Sequence, residues 1–193
     1  QPPQTLPDFE ELRARRALGV QRGVATHRAM GSLALDSLRG RHGPALYDAL
    51  VGELLRLEMA GVLLPKEREA VDVEALCAFY GSPLGQRLLA ARTVHREWPF
   101  SLMAEEQLIL QGVLDCCFEE DEAWVVIDYK TDRADPAQTA LRYRDQLRWY
   151  MRALRDITGM PVREGCLYLI RHRLFIPIEE REPIRYTPRE GSA

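Results

Sequence analysis

The sequence predicts an α/β fold: a mixed sheet with one long helix packed on it, preceded by a run of helices. Three observations predict it. Before Arg92, apolar residues recur at helical spacing, as in Leu46, Leu50, Leu54 and Leu57. Between Thr93 and Thr131, three strand-like segments follow one another. After Asp135-Pro136 comes a long helical pattern, and then two further short apolar segments.

The elements are justified in turn. Gln1 to Pro7 is Pro-rich and reads as a linker. Asp8 is placed to cap a short helix ending at Leu18. Gly23 to Leu38 reads as a second helix, with Val24, His27, Leu35 and Leu38 near one face. Arg39 to Pro44 breaks the pattern, and residues 45–60 form an amphipathic helix. Pro65–Ala78 and Pro83–Ala91 complete the helical part, divided by Gly81-Ser82-Pro83. Thr93–Leu102 is a strand in which Val94, Arg96, Trp98 and Phe100 alternate with His95 and Glu97. Leu108–Glu119 and Ala123–Thr131 pair through the acidic turn Glu120-Asp121-Glu122. An Asp cap and Pro at the first helical position start the long helix, which Gly159 and Pro161 stop near Thr158. Cys166–Ile170 and Leu174–Ile178 are the last strands. The expected organisation is 1–22, linker and N-terminal helix; 23–91, helical portion; 92–182, core; 183–193, tail.

A chain of 193 residues and 22.1 kDa, 46% hydrophobic, is long enough to hold a core without disulfides or structural metals. No stretch reaches the roughly 20 apolar residues of a membrane span. No signal peptide is apparent. A start at Gln1 rather than Met suggests a piece of a longer protein or a processed product. A net charge of −3 argues mildly against binding nucleic acid by bulk charge. The charge is uneven, however. From Arg133 to Arg173 nine Arg stand against Asp135, Asp145, Asp156 and Glu164, a net of +5. A solvated helix face explains that stretch as well as a phosphate-binding one. Cys77, Cys116, Cys117 and Cys166 contain no C-x-x-C, so free thiols in a reducing compartment are expected, with the cytoplasm as the default location.

The chemistry is concentrated in two strands. Gln111-Gly112-Val113-Leu114-Asp115 sets an acid within an apolar strand. Trp124-Val125-Val126-Ile127-Asp128-Tyr129-Lys130 ends the next with an Asp and a Lys two apart, sharing a face. A carboxylate inside an apolar strand needs compensation, and two near each other repel. A hard divalent cation with oxygen ligands, Mg²⁺ or Mn²⁺, is the direct remedy. Only Lys66 and Lys130 are lysines in a chain with 24 Arg, which suggests that position 130 needs a compact ammonium. A plain strand-end ion pair, Asp128–Lys130, accounts for the same residues without chemistry. Gly23 with His27, Glu97 in Arg96-Glu97-Trp98-Pro99-Phe100, and Gln146 with Tyr150 say little singly.

Together and in this order, these elements resemble the PD-(D/E)xK nuclease superfamily and, within it, the RecB-like branch. That branch carries a Gly-x-x-x-His helix, a Glu-bearing strand, Gly-x-x-Asp, Asp-x-Lys and Gln-x-x-x-Tyr. Here they are Gly23/His27, Glu97, Gly112/Asp115, Asp128-Tyr129-Lys130 and Gln146/Tyr150, covering roughly residues 20–178. The wording of the three strands looks closest to the C-terminal nuclease domain of AddA-type helicase–nuclease subunits. The resemblance implies a restriction-endonuclease-like core and Mg²⁺-dependent hydrolysis of DNA, single-stranded by expectation. His27, Asp115, Asp128 and the Tyr129 carbonyl would be metal ligands. Lys130 would orient the nucleophile or stabilise the pentacovalent state, and Glu97 would bind a second metal or complete the site. Gln146 and Tyr150 would touch DNA or brace the active-site loop, and Arg142, Arg148 and Arg152 would hold phosphates. The Cys spacing lacks the pattern that holds an iron–sulfur cluster in AddB-type partners, so no cluster is expected. Implied partners are DNA, ATP-dependent helicase domains in the parent chain and an AddB-like second subunit, with no membrane. Two other readings stand beside this one. One is a catalytically silent DNA-binding or assembly module, and the other a stand-alone phage or Cas4-like exonuclease.

Overall fold

The computed structural model describes residues 9–105, 108–131 and 134–179. It divides into two compact units. One is helical, reaches Ala90 and also takes in Lys130 and Thr131; the other starts at Ala91 and contains the sheet.

The helical unit comprises α1 (Phe9–Ser32), α2 (Gly43–Met59), α3 (Pro65–Ala70), α4 (Val73–Tyr80) and α5 (Pro83–Ala90). The break expected between Leu18 and Gly23 does not occur, because α1 runs straight through it. A helical Gly costs only about 1 kcal/mol relative to Ala. The inner face of α1, with Ala25, Ala29 and Met30 buried, outweighs that. The face differs from the expected one, since Val24 is 49% exposed. On α2, Leu46, Leu50, Leu54 and Leu57 are all buried, as their spacing demands. The helix expected over Pro65–Ala78 is split, because the Asp72 carboxylate accepts the Ala75 N–H at 2.9 Å and caps α4. Glu53 is the buried acid of this unit. It accepts the Ala34 N–H at 2.8 Å and a guanidinium N–H of Arg56 at 2.8 Å. Burial alone would raise its pKa, but the Arg56 and Ala34 hydrogen bonds prevail and hold it below the usual 4.5.

The sheet unit comprises β1 (Val94–Glu105), β2 (Leu108–Glu120), β3 (Ala123–Lys130), α6 (Pro136–Thr158), β4 (Val162–Leu169) and β5 (Leu174–Ile178). The strands lie in the order β1-β2-β3-β4-β5. β1/β2, β2/β3 and β4/β5 are antiparallel. β3 and β4 are neighbours joined through α6, the long connection that a parallel pair requires. Asp121 and Glu122 both adopt positive φ, 48° and 60°, between Glu120 and Ala123, which face each other. This is the tight two-residue turn whose twist matches the strands. α6 follows its sequence signals closely. Asp135 accepts the Ala137 and Gln138 N–H groups, and Gly159 ends the helix at φ 71°. β4 begins four residues earlier than expected, at Val162, where exposed Arg163 obscures the apolar pattern. α6 buries Leu147, Met151 and Leu154 against Phe100, Leu114, Cys117, Trp124, Val126 and Leu167. Among the described residues no helix is long and apolar enough to cross a membrane. Asp8 and the tail after Pro183 lie outside the described residues.

Candidate metal centre

The three acids from the strands fall at matching ladder positions. Glu97 stands between the pairs Arg96↔Cys116 and Trp98↔Leu114, opposite Asp115. The β2/β3 ladder runs from Glu120↔Ala123 to Cys116↔Ile127, so the next position sets Asp115 opposite Asp128. There the side chain takes over from the backbone, and Asp115 Oδ2 accepts the Tyr129 N–H at 2.8 Å. Like charges directly opposite on neighbouring strands repel. A carboxylate oxygen of Glu97 nevertheless lies within 4.8 Å of one of Asp115. Two oxygens bound to one hard cation sit at most about 4 to 5 Å apart, twice the metal–oxygen distance. The pair therefore suits a shared divalent ion.

The strands are distorted at this point. Glu97 has φ 48°, a left-handed conformation that costs a non-Gly residue about 1–2 kcal/mol. Side-chain alternation slips there. His95 and Trp98 are three residues apart, yet their rings stack with centroids 4.7 Å apart, and His95 also approaches Trp124 at 5.6 Å. On β2, Leu114 and Cys117 both enter the core beneath α6, so the slip is matched across 115–116. The strict alternation expected for Thr93–Leu102 is thus corrected. Glu97 is exposed, as expected, but not within a regular strand; it is the point where β1 turns over.

Asp128 is only 3% exposed, and Tyr129 equally so. Asp128 Oδ2 is enclosed and receives no hydrogen bond, although the residue has other interactions. Lys130, half-buried, follows Asp128 by two on β3. The alternation that orients Cys116 and Cys117 buries both thiols. Burial pushes Cys116 up to about 12, with a smaller opposing effect from its hydrogen bond to Tyr129, and Cys117 is also raised by burial. Both stay protonated at neutral pH and are poor nucleophiles.

His27 lies on α1, half-buried, one turn beyond Gly23. A Cβ at Gly23 would stand 2.7 Å from Thr131 Oγ1, so this glycine lets α1 approach the segment just after Lys130. Gly112 has an equally local reason. A Cβ there would lie 2.9 Å from the Phe100 ring and 3.2 Å from the Tyr150 ring. Phe100 and Tyr150 meet edge-to-face at 5.4 Å, and Gln146 Nε2 donates to the Tyr150 hydroxyl at 2.8 Å. The sequence had no signal for this stack beyond the glycine itself. Arg142 is exposed on the row of α6 that leads to Gln146 and Tyr150. Arg148 pairs with Asp145 at 3.4 Å, and Arg152 with Asp156 at 3.4 Å while lying over Trp149.

Comparisons with known proteins show the family. The family model of the PD-(D/E)XK nuclease superfamily matches residues 6–186. Three curated relatives are each named as the A component of an ATP-dependent helicase/nuclease. The one from Desulforamulus reducens is 34% identical over 173 residues, 82% of this chain and 13% of the relative. The one from Geobacillus thermodenitrificans is 35% identical over 182 residues, 82% of this chain and 14% of the relative. The one from Bacillus cytotoxicus is 32% identical over 202 residues, 93% of this chain and 16% of the relative. The chain thus spans a small fraction of the length of the relatives it matches. With acids at matching positions on three adjoining strands and a superfamily model that fits almost end to end, the chain belongs to the PD-(D/E)XK nuclease superfamily.

Proposed function

We propose that this chain is a divalent-metal-dependent DNA nuclease domain, acting on single strands delivered by helicase domains of a longer parent protein. The observation that carries the reading is the convergence of the Glu97 and Asp115 carboxylates at the slipped position. Asp115, Asp128, the Tyr129 carbonyl and His27 would hold the ion, with Glu97 completing the set. Mg²⁺ or Mn²⁺ bound there would acidify a water and neutralise charge building on the scissile phosphate. The Tyr129 N–H orients the Asp115 carboxylate, one oxygen of which lies within 4.8 Å of one of Glu97. Lys130 would orient the attacking water and offset negative charge on the phosphate. Of Arg142, Arg148 and Arg152 on α6, Arg142 is the best placed to take a phosphate, since Arg148 and Arg152 already pair with Asp145 and Asp156.

The names of the relatives support a helicase in the parent chain, and a role in repair or recombination of DNA is part of the same proposal. An AddB-like second subunit belongs to the same proposal, as does a cytoplasmic setting in which the four free thiols stay reduced. The test is cleavage of end-labelled single-stranded DNA by the chain with Mg²⁺, with Mn²⁺ and with a chelator. Cleavage that needs the metal and vanishes in Asp128→Ala is expected. Retention of full activity in that variant overturns the assignment. Metal-independent binding without cleavage would point instead to a silent DNA-binding module.

A further inference from the structure

We infer that Tyr150, seated by Gln146, is a positioning residue that clamps Phe100 over Gly112 and so holds the slipped Glu97–Asp115 position in register; the inference rests on the metal-site reading above. Three observations carry it. A residue held in a left-handed conformation persists only when its surroundings over-determine it. Glu97 is such a residue, and it faces a second acid. On one side of it in the chain lies His95, whose ring stacks on Trp98 and approaches Trp124. On the other side the ladder pairs Trp98↔Leu114, Pro99↔Val113 and Phe100↔Gly112 lead directly to the Tyr150 stack. There is no slack in that stack, because a single added Cβ at Gly112 would collide with Phe100 at 2.9 Å and crowd Tyr150 at 3.2 Å.

Tyr150 is one of the contacts through which α6 reaches this part of the hairpin. Its ring packs with the buried cluster, and its hydroxyl is the acceptor for the Gln146 amide. That geometry uses one ring edge on Phe100 and sets the hydroxyl, as acceptor, in an exposed bond with Gln146. Gln146 and Tyr150 thus act on the acids through Phe100 and Gly112, taking the bracing role of the two, DNA contact or brace, that their motif suggested. The Gly of Gly-x-x-Asp and the Tyr of Gln-x-x-x-Tyr become two halves of one contact.

The experiment uses the whole chain carrying Gly112→Ala, Tyr150→Ala or Tyr150→Phe, and Gly112→Ala combined with Phe100→Leu. Three quantities are read: the Mn²⁺ dissociation constant, KM and kcat on single-stranded DNA, and amide exchange at Trp98 and Leu114. Gly112→Ala and Tyr150→Ala are expected to weaken Mn²⁺ binding by about 10- to 100-fold, as loss of support around ligands does. They should lower kcat with KM little changed and speed exchange at Trp98 and Leu114. Tyr150→Phe keeps the ring and should fall between these and wild type. Phe100→Leu opens space for the new methyl and should restore most of the Mn²⁺ affinity lost in Gly112→Ala. A raised KM with unchanged Mn²⁺ affinity would place Tyr150 on the DNA and overturn the inference. Lower thermal stability with unchanged affinity and exchange would make the stack merely structural and overturn it too. A wild-type chain that neither binds Mn²⁺ nor cuts DNA defeats the nuclease reading alone. The exchange rates at Trp98 and Leu114 then still decide whether the clamp holds the register.

Discussion

The two units handle acidic side chains in opposite ways. In the helical unit Glu53 is nearly buried, and the fold answers its charge from within, through Arg56 on the same helix and the Ala34 N–H. In the sheet unit Glu97, Asp115 and Asp128 are drawn to matching positions on three strands, and a backbone distortion is accepted to bring them there. The first arrangement stabilises the fold. The second brings like charges to matching positions and strains the backbone at Glu97, as expected of a site that takes a ligand.

The contrast can be broken most forcefully at the acids. Asp128→Ala is expected to lower metal-dependent cleavage by about a thousandfold or more, the several kcal/mol that loss of charge stabilisation implies. Asp115→Asn should cost cleavage similarly. Its amide oxygen still accepts the Tyr129 N–H, and a repulsion is removed, so its melting temperature should hold or rise. A large loss of melting temperature in Asp115→Asn would show that the acids are structural, like Glu53. Lys130→Arg comes next. If a compact ammonium is needed, the rate should fall by about a hundredfold with the fold intact. Wild-type rates there would remove that argument.

Glu53→Gln should behave in the reverse sense. It should destabilise the chain by about 1–3 kcal/mol, measured by denaturant melts, while cleavage per folded molecule is unchanged. Because the folded pKa of Glu53 lies below the ordinary 4.5, its contribution is complete above that value. It is lost as pH falls through the lower folded pKa. Wild type should therefore lose more stability than Glu53→Gln on acidification below pH 4.5, and parallel curves would contradict this. The smallest effect is at the β2/β3 turn. Glu122 sits at φ 60°, so Glu122→Gly should stabilise by about 0.5–1 kcal/mol, while Asp121 keeps its 3.0 Å bond with Arg163.

Much of this molecule was legible in the sequence where one physical signal dominated. The limits of α6 follow from Asp135, Pro136 and Gly159, each with a single strong preference. The α2 core face follows from four leucines at one spacing. Asp115 and Asp128 stood out because acids within apolar strands need an explanation. What was hidden depends on tertiary context. The continuity of α1 is decided by burial, which overrides two glycines. The slip at Glu97 is invisible to a count of alternating residues, since a reversal of one φ angle leaves the sequence pattern unchanged. The purpose of Gly112 depends on Phe100 opposite it and Tyr150 on a distant helix, neither of which spacing reveals.

The claim on which everything rests is that these strands bring their acids together to hold a hard cation. Titration of the chain with Mn²⁺, followed by the loss of the free-ion electron paramagnetic resonance signal, tests it directly. The account expects saturable binding that weakens at least about tenfold in both Glu97→Gln and Asp115→Asn, with Glu53→Gln matching wild type. Binding of equal strength in wild type, Glu97→Gln and Asp115→Asn would contradict it.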